Sequence, residues 1–169
     1  MNLNLCCGDN IIKGAINVDI MKGSGVDEIY DLAKTPWKWG KNSVEKIYLY
    51  HGIEHFPSTE RIIKECHRIL KKGGELVIKA PHSSSATAIG CLGHYRTFSY
   101  NTFKDYTSRN FYLFNKPIFK TEKQRIIWQP GLEWTPIQWL IDLCPILFER
   151  VWCYWVGGAW EIQWTGRKL

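Results

Sequence analysis

The stretch VEKIYLYHGIEHFPSTERIIKECHRILKKGGELVIKAP, residues 44–81, constrains this chain more than any other part of it. VEKIYLY is a β-branched and aromatic run of strand type, and Gly52 and Phe56-Pro57 close it with a loop. Pro57 restricts Phe56 to extended conformations. Ser58 then suits the N-cap of a helix from about Thr59 to Lys71, with Ile62, Ile63, Cys66, Ile69 and Leu70 on one face. Lys71 and Lys72 fit its C-terminus, and Gly73 fits a left-handed cap. ELVIKAP, residues 75–81, is the next strand. Strand, helix and strand in this order form a βαβ unit, whose right-handed crossover makes the two strands parallel. The expected class is therefore α/β.

The flanking sequence extends the sheet. LNLCC (residues 3–7) ends at Gly8, AINVDI (15–20) ends in an acid and an isoleucine, and VDEIYDL (26–32) is a weaker third strand. Only Asp9 to Gly14 separate the first two, whereas a parallel crossover normally takes a dozen residues and a helix. The first helix is expected to be short or missing. Further on, Tyr100 to Thr107 and Thr135-Pro136 to about Cys144 read as helices, and KPIFKTEKQRIIW as extended chain. AWEIQWT alternates Trp160, Ile162 and Trp164 with Glu161, Gln163 and Thr165, as a final strand with two unlike faces should.

With 169 residues and 45% hydrophobic content, one domain spanning 1–169 can bury a substantial core. Six cysteines without a CxxC pair suit a reducing compartment, and a cytoplasmic location is expected. The N-terminus has no basic region followed by an apolar one, and no run of about eighteen apolar residues occurs, so no membrane span is expected. A net charge of +6 is spread along the chain and names no partner.

His51, Gly52, Ile53, Glu54 and His55 spell HxxEH, the order of ligands and base in inverted zinc peptidases. That chemistry needs both histidines on one helical face. The surroundings instead read as strand, then loop, so a zinc hydrolase is a minor alternative and no metal ligands are expected. Two loop histidines without a task are a second reading.

A third comes from a resemblance. LNLCCGD, INVDI, YDL, residues 48–81 and GHYRTFS together resemble small class I S-adenosylmethionine-dependent methyltransferases of type 11, over about residues 2–100. The resemblance implies a compact Rossmann-like fold: a mostly parallel central sheet with an antiparallel C-terminal strand, and cofactor and acceptor past the carboxyl ends of the parallel strands. It places S-adenosylmethionine against Cys6, Cys7 and Gly8 after strand one, Asp19 and Ile20 after strand two, Asp31 and Leu32 after strand three, and His51 and Gly52 after strand four. Asp19 would hold the ribose hydroxyls, and Asp31 with Leu32 the adenine. Cys6 stands where the family usually has glycine, so either the cofactor tolerates a side chain there or the strand turns it away.

By the same resemblance Glu54 and His55, and His94 in GHYRTFS, face the acceptor. His94 and then His55 are the candidate bases, Glu54 the orienter, and His82 a reserve; histidine suits proton transfer near neutral pH. Nucleic acid is not the expected acceptor, because the acid or asparagine, prolines and aromatic of amine methyltransferases are replaced by HGIE. Seven tryptophans, at 128, 134, 139, 152, 155, 160 and 164, crowd the last third. An exposed subset would stack on sugar faces, which favours a small-molecule or saccharide hydroxyl. The alternative is a cofactor-binding or interaction module without catalysis.

Overall fold

The computed structural model describes residues 1–107, 116–155 and 157–169. Among the described residues seven strands form one sheet: β1 (Asn2–Leu5), β2 (Ile16–Asp19), β3 (Glu28–Ile29), β4 (Val44–Tyr50), β5 (Leu70–Pro81), β6 (Phe119–Ile127) and β7 (Glu161–Lys168). Their spatial order is β3-β2-β1-β4-β5-β7-β6. The first five are parallel, while β7 runs antiparallel between β5 and β6. The strand order reverses between β1 and β4, which opens a crevice at the carboxyl ends there.

The expected βαβ unit forms. Helix α1 (Thr59–Ile69) starts at Ser58, whose hydroxyl accepts from Arg61 N–H, and buries Ile62, Ile63, Cys66 and Ile69. It ends two residues earlier than the sequence reading placed it. Leu70 is its extended C-cap, so Gly73, with φ +77°, shapes an irregular start of β5 rather than the helix end.

No helix connects β1 to β2. Two buried asparagines anchor the loop instead. Asn4 Nδ2 donates to Asn10 O (2.7 Å) and to Asn17 Oδ1 (2.9 Å), and Ile12 N–H donates to the same Oδ1 (2.9 Å). These bonds satisfy backbone groups that a helix would otherwise satisfy internally.

In the later chain, α2 (Ala86–Gly90), α3 (Lys104–Thr107), α4 (Pro136–Leu143), α5 (Pro145–Leu147) and a π-turn (Phe148–Trp152) lead into β7. Thr135 caps α4 by accepting from Gln138 N–H (3.4 Å). Trp164 of β7 is core, stacked on Phe103 at 5.0 Å between ring centroids and edge-on to Phe119. No described helix is long and apolar enough to cross a membrane.

Candidate active site

The turn after β1 lies open. Gly8 has φ +49°, and no atom of the described residues lies within 4 Å of where a β-carbon would sit. Its N–H donates to Asp19 Oδ2 (2.9 Å), and Met21 N–H donates to Asp19 Oδ1 (3.1 Å). Each bond uses one lone pair of its oxygen, so the carboxylate is fixed in direction and keeps acceptor capacity. Beside it, Ile20 and Met21 are 63% and 72% exposed, an apolar shelf next to an acid.

Cys6 is left-handed, with φ +55°, and its thiol turns away from the open turn toward Gly52. A β-carbon on Gly52 would meet Cys6 Cβ at 2.6 Å and Sγ at 2.9 Å. Burial pushes the Cys6 thiol up to about 12, which leaves it a packing group. Cys7 is buried, and its N–H donates to Val18 O. Asp31 accepts from Ala33 N–H and pairs with Lys34. Leu32 is core, 4% exposed, and its carbonyl accepts from Trp37 Nε1–H, so its side chain offers no apolar surface to a ligand.

After β4 the chain makes a left-handed residue at His51 (φ +50°) and one 3₁₀ turn, Ile53–His55. That geometry rules out the inverted-peptidase zinc site, which needs a continuous helix through both histidines. His51 Nε2 bonds Glu161 Oε2 at 2.8 Å, and this bond raises the imidazole above its ordinary value. The sequence reading missed Glu161. It was assigned to the polar face of the last strand, and its carboxylate instead lies buried against His51.

Glu54, His55 and His94 converge. One ligand-type atom of each lies within 4.8 Å of the others, and the two imidazole rings meet edge-on at 4.9 Å. Tyr95 N–H donates to Glu54 O (2.8 Å), which ties the 91–95 turn to the loop after β4. Glu54 is 1% exposed, and burial raises its carboxyl above the usual range. Two residues beyond His55 and His94, Pro57 and Arg96 begin a polar cleft of about 550 Å³, lined also by Ser58, Thr97 and Thr102.

His82 is separate from this group. It is fully buried, with Nδ1 at 2.8 Å from Ser84 Oγ and Nε2 at 3.0 Å from Glu149 Oε1, and Glu149 also accepts from Tyr100 N–H. It braces the end of β5 against the π-turn. The tryptophans divide: Trp164 is core, Trp128 is partly buried, and 134, 139, 152, 155 and 160 are exposed.

A family model described as a methyltransferase domain matches residues 19–78. The fold is similar to an S-adenosylmethionine-dependent methyltransferase from Archaeoglobus fulgidus (14% identity, 99% of this chain and 85% of that one, TM-score 0.66). It is similar also to one from Mesorhizobium loti (16%, 99% and 90%, 0.60). The chain resembles the class I S-adenosylmethionine-dependent methyltransferases. That resemblance, with the methyltransferase-domain model over residues 19–78, implies S-adenosylmethionine as the cofactor. The [4+2]-cyclase SpnF shares the fold as well (14%, 99% and 74%, 0.60). No curated protein matches the sequence.

The residues present fit the cofactor at the carboxyl ends of β1 and β2. Gly8 leaves room, Asp19 retains acceptor capacity, Ile20 and Met21 offer apolar cover, and the Cys6 side chain is turned out of the way.

Proposed function

We propose that this single-domain methyltransferase transfers a methyl group to a hydroxyl of a small molecule or saccharide, with the acceptor in the cleft beside Glu54, His55 and His94. That cluster carries the reading: three proton-handling side chains from two loops, one of them the loop that follows β4. Five exposed tryptophans, planar surfaces suited to sugar faces, support the saccharide. Six free cysteines suit a reducing cytoplasm.

Asp19 orients the ribose of the cofactor, Ile20 and Met21 cover the adenine, Asp31 offers it a polar partner, and Gly8, Cys7 and Gly52 shape the backbone around it. When bound, the cofactor supplies an electrophilic methyl group on a sulfonium sulfur. The chain aims the acceptor oxygen and takes up its proton. His94 Nδ1 is buried and has no hydrogen-bond partner among the described residues, so it is the atom placed to accept it. Glu54 stabilises the imidazolium that results, and His55 packs edge-on against the ring.

The test is turnover. His94→Ala should leave S-adenosylhomocysteine affinity intact and lower turnover by roughly 10²- to 10⁴-fold, more than His55→Ala does. Full activity in both variants would remove histidine base catalysis.

A second reading, a cofactor-binding module without turnover, draws on the absent helix after β1 and on the Gly8 amide already bonded to Asp19. SpnF, named for a different reaction, illustrates that this fold does not fix the chemistry. Tight S-adenosylhomocysteine binding with no methylation across an acceptor screen would favour this second reading.

A further inference from the structure

The cluster that faces the acceptor has an unusual hydrogen-bond account. Glu54 is 1% exposed, yet among the described residues its Oε2 has no partner, and its Oε1 lies 3.8 Å from His51 Nδ1. His94 Nδ1 is buried and likewise without a partner. An orphaned buried polar atom is costly, on the order of 1–3 kcal/mol, and here two belong to one cluster drawn from different loops. Were His94 simply oriented by Glu54, an N–H from His94 to the carboxylate would satisfy both. Neither atom makes that bond.

His55 supplies the complementary half of the observation. Its Nδ1 lies 3.0 Å from Gly93 O. A carbonyl only accepts, so Nδ1 carries the proton and Nε2 is left with its lone pair. A backbone carbonyl that fixes the tautomer and aims the other nitrogen is the usual outer support of a metal-binding histidine. Gly93 allows this approach, since a β-carbon there would already lie 3.4 Å from His55 Nδ1.

We propose that Glu54, His55 and His94 hold one divalent first-row transition ion whose remaining positions take the oxygens of the acceptor. Two imidazoles and one carboxylate form a three-ligand face that leaves coordination sites open, and they favour ions such as Mn²⁺, Fe²⁺ or Co²⁺ over Ca²⁺ or Mg²⁺, which prefer all-oxygen shells. An acceptor with two neighbouring hydroxyls, as on a sugar ring, would fill adjacent open positions. The ion would position the hydroxyl and make it more acidic. This deepens and rests on the methyl-transfer reading and changes one part of it: with the ion present, His94 Nδ1 is a ligand, and the hydroxyl proton goes to solvent. The site shares Glu54 and His55 with the HxxEH pattern, but takes His94 in place of His51, which is turned to Glu161.

Co²⁺ and Mn²⁺, each added alone, are the probes, with binding read by calorimetry and by the visible spectrum of Co²⁺. The expected result is one ion per chain, a Co²⁺ spectrum without thiolate charge transfer, and affinity lowered by roughly 100-fold or more in Glu54→Gln and in His94→Gln, beyond the 10–100-fold typical of outer supports. Circular dichroism checks that both variants are folded, and His67→Gln serves as a remote control. No stoichiometric ion, thiolate charge transfer, or unchanged affinity in folded His94→Gln would overturn the proposal. S-adenosylhomocysteine titration of the same samples separates the two readings. Cofactor binding and turnover without an ion would sink the metal site alone, and an ion without cofactor binding would sink the methyltransferase reading alone.

Discussion

Gly52 sits where the turn after β1 and the loop after β4 press together, and replacing it with alanine gives a sharp test of how Cys6 is accommodated. The backbone itself tolerates the change, since Gly52 has φ −133°. The obstacle is contact. The new β-carbon would lie 2.6 Å from Cys6 Cβ, 2.9 Å from Cys6 Sγ and 3.2 Å from Leu49 Cδ1. Carbon pairs prefer about 3.5–4.0 Å, so the worst overlap approaches 1 Å, and it involves a β-carbon that cannot swivel away. Overpacking of this kind costs about 1–3 kcal/mol, and we expect Gly52→Ala to lie in the upper half of that range, about 2–3 kcal/mol. For a chain of this size that corresponds to a fall in Tm of roughly 4–12 °C.

The decisive comparison is the same substitution in a Cys6→Gly background. Cys6→Gly removes both of the shortest contacts, and the Leu49 methyl that remains is the end of a flexible side chain. It also relieves a non-glycine residue held at φ +55°, worth about 1–2 kcal/mol, against the loss of a small buried side chain. The single variant should therefore be close to neutral. In the double variant most of the Gly52→Ala penalty should vanish, giving a coupling energy of about 1.5 kcal/mol or more by thermal and urea denaturation. An equal penalty in both backgrounds, within about 0.5 kcal/mol, would refute the claim that Gly52 makes room for Cys6.

Asp19→Ala should weaken S-adenosylhomocysteine binding by about 1.5–3 kcal/mol, as loss of a charge-assisted hydrogen bond does; unchanged affinity on titration removes Asp19 from the site. His67 tests pH dependence away from the crevice. Burial, with Lys168, Lys116 and Lys41 nearby, lowers its imidazole to about 4. Above about pH 6.5 neither folded nor unfolded chain protonates it, and its contribution to stability is complete. As pH falls from about 6.5 toward 4 only the unfolded chain takes the proton, so stability declines across that window and levels off below it. His67→Gln should flatten the fall in Tm between pH 7 and 5, and an unchanged slope would show that other groups cause it.

The sheet was legible because its signals are local. VEKIYLY, the Ser58 cap and ELVIKAP each carry their own period or cap, and a short β1–β2 connection announces a missing helix by length alone. What escaped was non-local. Nothing in AWEIQWT says that β7 will insert between β5 and β6, and that pairing turns Glu161 from an outward polar residue into the buried partner of His51. The same limit applies to the four histidines singled out in the sequence, which look alike as residues. Tertiary contacts give one to Glu161, one to Ser84 and Glu149, and bring the other two together beside Glu54. Leu32 is a different case: the resemblance sets it against the adenine, and the indole of Trp37 draws its segment into the core. Cys6 shows why a departure from a family pattern is hard to weigh in isolation. A side chain at a glycine position reads as an obstacle to the ligand, yet the left-handed backbone swings it toward β4, where a glycine has taken up the missing space. The crevice thus needs one small residue at the contact between β1 and the loop after β4, and either position 6 or position 52 can supply it.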